Sequence, residues 1–497
     1  MAELQTETQP EKESRSAEVS AFQELLQKEF KPKTDRMQQE VEAATRTLAE
    51  FALKHVNLLS SDTVATIQAI KAAIDERLTK QLNLILHHPD FQKMESAWRG
   101  LNYVVFNTES DEMLRIRVMN ISKNELSRTL KRYKGAKWDQ SPIFKAIYGE
   151  EYDKPGGTPY GCLVGDYFFD HSPPDVELLG NVAKVAASAH TPFLAGASPT
   201  VMQMESWSEL SNPSDIAKIF TTPEYNAWRM LRESEDSRYL GLALPRFLGR
   251  QPYGAKSDPV EEFDYEEDTE GADSNKYCWV NSAYAMAANI NMSFKLYGWC
   301  SRIRGRESGG LVESLPLHTF PTTDGGVDTK CPTEIAIGDR REKELADVGF
   351  MPLSHWKNTD TAVFMGAQSL QRPFKYEDPD ATASANLSAR LPYMFACCRF
   401  AHYLKCIVRD KIGSFKERED MERWLQSWIL NYVDGDPKNS SELTKSQKPL
   451  AGAEVYVEEV EGNPGYYTSK FFLRPHYQLE GLTVSLRLVS KLPSLKK

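Results

Sequence analysis

The 497-residue sequence lacks most of the features that mark common classes of active site. It contains seven cysteines but no C-x-x-C pair, so neither a disulfide framework nor a zinc site of the usual spacing is expected. Neither G-x-x-x-x-G-K-[ST] nor G-x-G-x-x-G is present, which removes the usual signatures of a phosphate-binding loop and a dinucleotide fold. We therefore expect reduced thiols, no cofactor and no metal.

Long apolar runs and an excess of positive charge are also missing. No run approaches the roughly 18 apolar residues that indicate a membrane-spanning helix. The opening MAELQTETQPEKESRSAEVS has no apolar core of a secretory signal. The net charge of −10 disfavours a general nucleic-acid binder, which needs a basic surface to neutralise phosphates. These absences predict a cytoplasmic protein without membrane insertion or nucleic-acid binding.

Fragments of catalytic motifs occur, but each lacks a position that its mechanism requires. Ser308 lies in RESGG, where Arg306 replaces the glycine of the trypsin-like motif. Ser198 lies in GASPT, where Thr200 replaces the last glycine of a nucleophile elbow. A hydrolase would have to combine one of these serines with one of three histidines: His171, His190 or His318. We keep a soluble α/β enzyme as the alternative and predict no enzyme.

Two further clusters resemble metal sites and fail on spacing. His87 and His88 are adjacent, so they would point apart on a helix, and the end of a helix before Pro89 explains them better. The acidic stretch 258–275 resembles a calcium loop from Glu266, but Tyr277 stands where a bidentate glutamate is needed. An exposed acidic loop is the prediction.

The pattern of apolar residues predicts a mixed α/β chain of several domains. We divide it into a disordered tail, a helical arm, a central mixed sheet covered by helices, and C-terminal helices with strands. In order, these parts are 1–16, 17–86, 87–378 and 379–497. In the central part we expect strands at 113–119, 162–169, 193–197, 239–244, 333–337 and 361–364. The helices expected there are 121–133, 142–147, 176–190, 225–235 and 280–299.

The C-terminal part should contain helices at 387–409 and 417–432, then strands near 453–460, 466–474 and 482–490. In the last of these, Val484, Leu486 and Leu488 share one face because side chains alternate along a strand. Strands with an open edge must pair somewhere. They either complete the chain's own sheet or add to a strand of a neighbouring subunit.

The segment HPDFQKMESAWRGL predicts a helix that begins at Pro89. Its apolar residues recur three and four apart, which predicts one buried face with Trp98 as a core anchor. The residues of that face are Phe91, Met94, Trp98, Leu101 and Val105. Glu95 and Arg99 lie four apart and should form an intrahelical ion pair.

With these residues in view, the chain resembles the TssC (VipB) family, the large contractile-sheath subunits of bacterial type VI secretion systems. The matching stretches are HHPDFQKMESAWRGL, ESGGLVESLPLHTFPTTDGGVDTKCPTEIAIGDRRE, LPYMFACCRFAHYLKCIVRDKIGSF and NPGYYTSKFFLRPHYQLEGLTVSLRLVSKLPS. The resemblance implies a structural subunit that co-assembles with the small subunit TssB (VipA) around the Hcp tube. Contraction of that sheath would propel the inner tube and its spike.

The resemblance also implies partners and sites. The partners are TssB, further copies of this chain, the Hcp tube, the baseplate, and the AAA+ ATPase ClpV, bound directly or through an accessory protein. The implied inter-subunit strands contain Tyr467, Phe471, Val484, Leu486 and Leu488. The implied inner-tube contacts are Arg409, Asp410, Lys411 and Lys416, and the implied ATPase-recognition helix contains Phe22, Leu25 and Leu26. A monomeric helical-arm adaptor is a third interpretation of the same elements.

Overall fold

The computed structural model describes most of the chain from residue 63 onward, together with four earlier positions. The described residues are 37, 41, 43, 47 and 63–497, except 213–214, 262, 270–273, 323–324, 412–417, 460–466, 477 and 479–497. The chain divides into two compact units, Met1–Leu86 with Tyr253–Glu267, and His87–Pro252 with Asp268–Lys497. The division into tail, arm, body and C-terminal region stays a prediction.

In the first unit, helix α1 spans Thr63–Leu86, so a helix ends before Pro89, as predicted. The hydroxyl of Tyr265 donates to the Asn83 side chain of this helix at 2.8 Å. Glu267 is buried, and its carboxylate accepts from the backbone N–H of Tyr253 at 2.9 Å. The acidic stretch is therefore not wholly exposed, because Tyr265 and Glu267 are taken into the fold.

The second unit is built on a six-stranded sheet of order β1-β2-β3-β9-β10-β6. Strands β1, β2, β3 and β9 are parallel, whereas β10 is antiparallel to both β9 and β6. The strands of this sheet are β1 (Leu163–Phe169), β2 (Phe193–Ala197), β3 (Leu240–Leu244), β6 (Leu311–Val312), β9 (Phe350–His355) and β10 (Ala362–Phe364). Three antiparallel pairs lie outside it among the described residues, and two of them are β4 (Phe247–Leu248) with β5 (Trp279–Val280), and β7 (His318–Pro321) with β8 (Val327–Lys330).

Helices surround this sheet. The helices up to the sheet's last strand are α2 (Pro89–Phe106), α3 (Lys123–Arg132), α4 (Pro142–Phe144), α5 (Pro173–Ala189), α6 (Ile216–Ile219), α7 (Asn226–Glu233), α8 (Ser282–Tyr297) and α9 (Asp339–Asp347). Consecutive residues of β2 enter different cores: Phe193 and Ala195 pack with one cluster, and Leu194 packs with the other. Because side chains alternate along a strand, both faces of the sheet are buried, as is usual for parallel strands. The predicted mixed α/β class is confirmed.

The C-terminal part has its own small core. Its elements are α10 (Pro379–Ser388), α11 (Leu391–Asp410), α12 (Arg418–Leu430), α13 (Glu442–Gln447), β11 (Leu450–Glu459) and β12 (Tyr467–Pro475). Strands β11 and β12 form a separate antiparallel pair. Phe400 of α11, Leu425 and Ile429 of α12, and Val455 and Val457 of β11 are buried together. The two predicted helices and the first two predicted strands of this part are confirmed within a few residues.

Two predicted strands are wrong. Residues 113–119 alternate in sequence but form no strand. The Asp111 carboxylate accepts from the backbone N–H groups of Met113 and Leu114, at 2.7 and 2.9 Å, and turns the chain away from an extended path. Residues 333–337 make only an isolated bridge, between Thr333 and Phe247.

The sequence-based prediction that Trp98 anchors the core is also wrong, because its side chain is 68% exposed. The buried face of α2 runs instead through Ser96, Gly100 and Val104. A Cβ atom on Gly100 would lie 2.3 Å from ring atoms of Tyr284 in α8. The small residues allow the helices to approach closely, and this close approach turns the larger apolar side chains of α2 outward.

The predicted pair of Glu95 and Arg99 is confirmed at 2.7 Å and has a third, buried member. Arg250 lies 2.6 Å from the same carboxylate, and the side chains of Glu95 and Arg250 are 11% and 6% exposed. Although burial by itself raises the pKa of Glu95, the hydrogen bonds and charges of Arg250 and Arg99 hold it below its usual value. Glu95 therefore stays ionised inside the fold.

Candidate functional site: the assembly surfaces

The hairpin of β11 and β12 has one face against the C-terminal core and one face toward solvent. The register runs from Leu450 opposite Pro475 to Glu459 opposite Tyr467. On the inner face Val455 and Val457 are buried. On the outer face Tyr456 and Phe472 are exposed, and their rings meet edge to face at 5.6 Å. The hairpin is therefore attached to the body by its inner face and leaves its outer face for other contacts.

One edge of the hairpin is closed by side chains of α12. Gln426 donates from Nε2 to the carbonyl of Ala453 at 3.0 Å, and its Oε1 accepts from the N–H of Val455 at 2.9 Å. Glu422 accepts from the N–H of Val457 at 3.2 Å, and Arg418 donates to the Val457 carbonyl at 3.4 Å. These contacts occupy the Ala453 carbonyl, the Val455 N–H and both backbone groups of Val457, which β11 would otherwise offer to another strand.

Arg418, Glu422 and Gln426 reach this edge because they follow at intervals of four along one side of α12. The adjoining side of the helix carries Leu425 and Ile429, which are fully buried under the hairpin. We call these three polar residues the α12 ladder. The helix thus packs beneath the sheet with its apolar side and borders β11 with its polar side.

The other edge of the hairpin belongs to β12. Among the described residues, no strand pairs with β12 besides β11. Backbone groups of successive residues point to opposite sides of a strand. The contacts at Val455 and Val457 therefore show which residues of β11 turn their N–H and C=O groups away from β12. Ser469 and Phe471 lie opposite Val457 and Val455, so their N–H and C=O groups point to the open edge of β12.

Beyond β12, Gln478 joins the hairpin to the body. Its Oε1 accepts from Arg304 Nε at 2.7 Å, and its Nε2 donates to the Ser301 carbonyl at 2.9 Å. Its backbone N–H donates to the Tyr393 hydroxyl of α11 at 3.0 Å. Arg304 is buried. Arg304 therefore fixes the end of the hairpin, while the nearby Arg306 stacks on the Trp356 ring, 4.5 Å from its centroid.

The structure brings three of the four predicted inner-tube residues together at the end of α11. Arg409 and Asp410 are the last two residues of the helix, and Lys411 is its C-cap. Asp410 and Lys411 are exposed. The Lys411 ammonium group lies 5.4 Å from the Trp424 ring of α12. Lys416 lies outside the described residues, as do Val484, Leu486 and Leu488 and the predicted ATPase helix with Phe22, Leu25 and Leu26.

The residues considered for catalysis have other structural roles. Ser198 bonds the Thr200 hydroxyl at 2.7 Å, and His171 bonds the Thr200 carbonyl at 3.1 Å. His190 contacts the Tyr239 hydroxyl, and His318 contacts the Tyr277 hydroxyl. Across the described part of the chain, no group of three or more histidine, cysteine or acidic residues could hold a metal ion. Nor does any described helix combine the length and apolarity that crossing a membrane requires.

All seven cysteines are free. Burial raises the pKa of Cys278 and Cys300 to about 12, and of Cys397 to about 11. Cys331 differs: burial raises its pKa, but hydrogen bonds from His355 and Thr333 outweigh this and hold it below the usual value. Most of the thiols are thus packing residues that stay protonated.

Comparison with known proteins agrees with a subunit built for assembly. A family model described as the EvpB/VC_A0108 tail sheath N-terminal domain matches residues 68–371. A second, the EvpB/VC_A0108 tail sheath gpW/gp25-like domain, matches residues 380–492. The chain is 71% identical over 497 residues to the type VI secretion system sheath protein TssC1 of Pseudomonas aeruginosa strain PAO1, covering 100% of both. It is also similar to a chain in the cryo-EM structure of the anti-feeding prophage baseplate, 6-fold symmetrised, with TM-score 0.39, 12% identity, and coverage of 76% of this chain and 83% of that chain.

A doubly covered sheet, a separate C-terminal hairpin and a match to two tail-sheath domains define a structural subunit of a contractile tail sheath. More particularly, the chain belongs to the TssC (VipB) family of type VI secretion system sheath proteins. The predicted family is confirmed. The family is one of structural sheath proteins.

Two functional features were not recognised from sequence: the α12 ladder and the Gln478 joint. The ladder has a sequence signal, since three long polar residues at intervals of four border the apolar side of a helix just before a strand pair. Gln478 has none, because its partners Arg304 and Tyr393 come from distant parts of the chain.

Proposed function

We propose that the chain pairs with the small sheath subunit TssB (VipA) and polymerises with it and with further copies of itself into a tube around Hcp. One observation carries the proposal: the hairpin edge at β12 has no partner strand among the described residues, while the edge at β11 is occupied by α12. An edge strand with unpaired backbone groups is a template for strand addition. A neighbour's strand adds there, and its backbone hydrogen bonds link the two subunits.

The other proposed contacts follow the family. The end of α11, with Arg409, Asp410 and Lys411, would face the inner tube, where exposed charges fix register more than they add affinity. The arm with Phe22, Leu25 and Leu26 would be recognised by ClpV after contraction, directly or through an accessory protein. The tube would rest on the baseplate, and all of this would take place in the cytoplasm.

Contraction would be a repacking of rigid bodies. The second unit has buried cores on both faces of its sheet, and packed cores move as units. Strand linkages at β12 would keep neighbours connected while the bodies rotate against each other. Because the sequence carries no nucleotide-binding signature, the energy of contraction would come from assembly, and ATP would enter only through the external ATPase. The subunit itself is proposed to have no enzymatic activity.

The proposal is tested by blocking the open edge without disturbing the hairpin. The N–H of Ser469 points away from β11, so Ser469→Pro removes an edge donor and leaves the bonds between β11 and β12 intact. Ser469→Ala keeps that donor and is the matched control. Each variant is co-expressed with the small subunit, and tubes are counted by negative-stain microscopy.

We expect tubes from the wild type and from Ser469→Ala, and dispersed subunits from Ser469→Pro. Deleting residues 480–497 should also prevent tube formation if the predicted strand 482–490 is part of the linkage. Normal tubes from Ser469→Pro would show that neighbours do not add at β12. Discrete monomers from the wild-type pair would contradict the sheath proposal as a whole.

A further inference from the structure

The α12 ladder meets β11 in the way that a neighbouring strand would. A strand residue that faces a partner offers one N–H and one C=O to it. Gln426 is a side-chain amide with the same two functions, and it uses both on Ala453 and Val455. Glu422 and Arg418 repeat the pattern at Val457, one as acceptor and one as donor. The ladder therefore satisfies backbone donors and acceptors at alternate residues of β11.

Such contacts are more than is needed to hold the helix in place. The packing of Leu425 and Ile429 beneath Val455 and Val457 already fixes α12 under the hairpin. Gln426 and Glu422 instead form hydrogen bonds with backbone groups at the β11 edge of the sheet. A hairpin with two open edges could accept a strand on each side, and natural sheets restrict such growth by covering an edge.

We propose that the α12 ladder is a seal that makes the hairpin a one-sided acceptor, so that neighbouring strands add at β12 and never at β11. The inference rests on the proposed strand linkage for its role in the sheath. If more than one neighbouring strand joins the hairpin, the strands add in series beyond β12. The ladder also hinders lateral pairing between hairpins of different tubes, because it already occupies the Ala453 carbonyl, the Val455 N–H and both backbone groups of Val457.

The seal itself can be measured at single amides. Gln426→Met keeps the length of the side chain and removes both hydrogen bonds to β11. Hydrogen exchange at the Val455 amide should then accelerate by about 3- to 10-fold, the effect of losing one net hydrogen bond. Val457 should be unchanged, since its N–H is bonded to Glu422. Glu422→Met should accelerate exchange at Val457 and leave Val455 unchanged. Gln447→Ala, at an exposed position of α13, is the control that should change neither amide.

The consequence is measured on tubes. The double variant Gln426→Met with Glu422→Met is co-expressed with the small subunit and compared by negative-stain microscopy with the wild type and with Gln447→Ala. We expect tubes of the double variant to bundle laterally or to branch, and its subunits to sediment in a larger fraction as irregular aggregate. Unchanged amide exchange in the single variants would show that the ladder does not protect β11.

Accelerated exchange with single, straight tubes would show that the ladder is only a local contact and would overturn the seal. In both of these outcomes the tubes themselves still support strand addition at β12. If the wild-type pair forms no tubes, the proposed function fails. Amide exchange in the free chain then decides separately whether β11 is sealed.

Discussion

The ion network of Glu95 gives a quantitative prediction about the stability of the second unit. Glu95 accepts from Arg250 at 2.6 Å and from Arg99 at 2.7 Å. Arg250 is almost fully enclosed, and it cannot lose its charge near neutral pH. Glu95→Gln removes the negative charge while keeping the shape of the side chain. It leaves the Arg250 guanidinium buried next to a neutral amide.

Breaking a buried ion pair from one side typically costs about 3–5 kcal/mol, because the remaining charge stays desolvated. The amide oxygen of the substituted glutamine still accepts one hydrogen bond, so we expect a loss of about 2–4 kcal/mol in the free energy of unfolding. Urea unfolding followed by tryptophan fluorescence measures this, since Trp98 lies on the same helix and Trp279 lies beneath it. Glu150→Gln is the matched control, because Glu150 pairs with Lys154 at the same spacing but on an exposed surface.

The double variant Glu95→Gln with Arg250→Met completes the cycle. It removes both buried charges, so it should be more stable than Glu95→Gln alone. The reasoning is refuted if Glu95→Gln unfolds within about 0.5 kcal/mol of the wild type, which is the range of ordinary surface substitutions. It is also refuted if the loss of unfolding free energy in the double variant equals the sum of the losses in Glu95→Gln and Arg250→Met, each measured alone.

Two further predictions concern helix packing and pH. Gly100→Ala places a methyl group where ring atoms of Tyr284 lie 2.3 Å away, so overpacking should cost about 1–3 kcal/mol in urea unfolding. Ser188→Ala, at a half-buried position of α5 where the change removes atoms and adds none, should have a smaller effect. Burial lowers the pKa of His402 from 6.5 to about 4, so between these values the unfolded chain binds the extra proton and stability falls as the pH falls. At pH 5 the loss of unfolding free energy amounts to about 2 kcal/mol. His402→Gln should flatten that part of the pH profile of unfolding. An equally steep profile in the variant would assign the effect to other groups.

The central strands and helices were predictable from sequence because their apolar patterns are long and their partners are local. Strand β2 was predicted with its actual bounds, since an apolar run between a helix end and a Ser-Pro turn leaves few alternatives. Strand β9 was missed because Pro352 lies inside it. A proline within a run argues against a central strand, yet here it is tolerated opposite Leu244 in a parallel pair.

The orientation of α2 could not be predicted from its own sequence. Apolar periodicity identifies the side of a helix with the largest side chains, and here that side carries Trp98. The helix nevertheless packs through Ser96 and Gly100, because the ring of Tyr284 in α8 fits against the glycine. Contacts between residues 184 positions apart leave no local signal, and the same is true of the Gln478 joint.

The Gln478 joint has a consequence for how force enters the subunit. Apolar contacts under the hairpin resist separation but permit sliding, since dispersion attraction has no preferred direction. Hydrogen bonds from Gln478 to Arg304, Ser301 and Tyr393 point in different directions and weaken steeply once their geometry is lost. A pull along β12 would therefore be resisted weakly by the apolar contacts, and more strongly by the hydrogen bonds of Gln478. If a neighbour's strand adds at β12 as proposed, tension on that strand would pass through Gln478 to the body of the second unit.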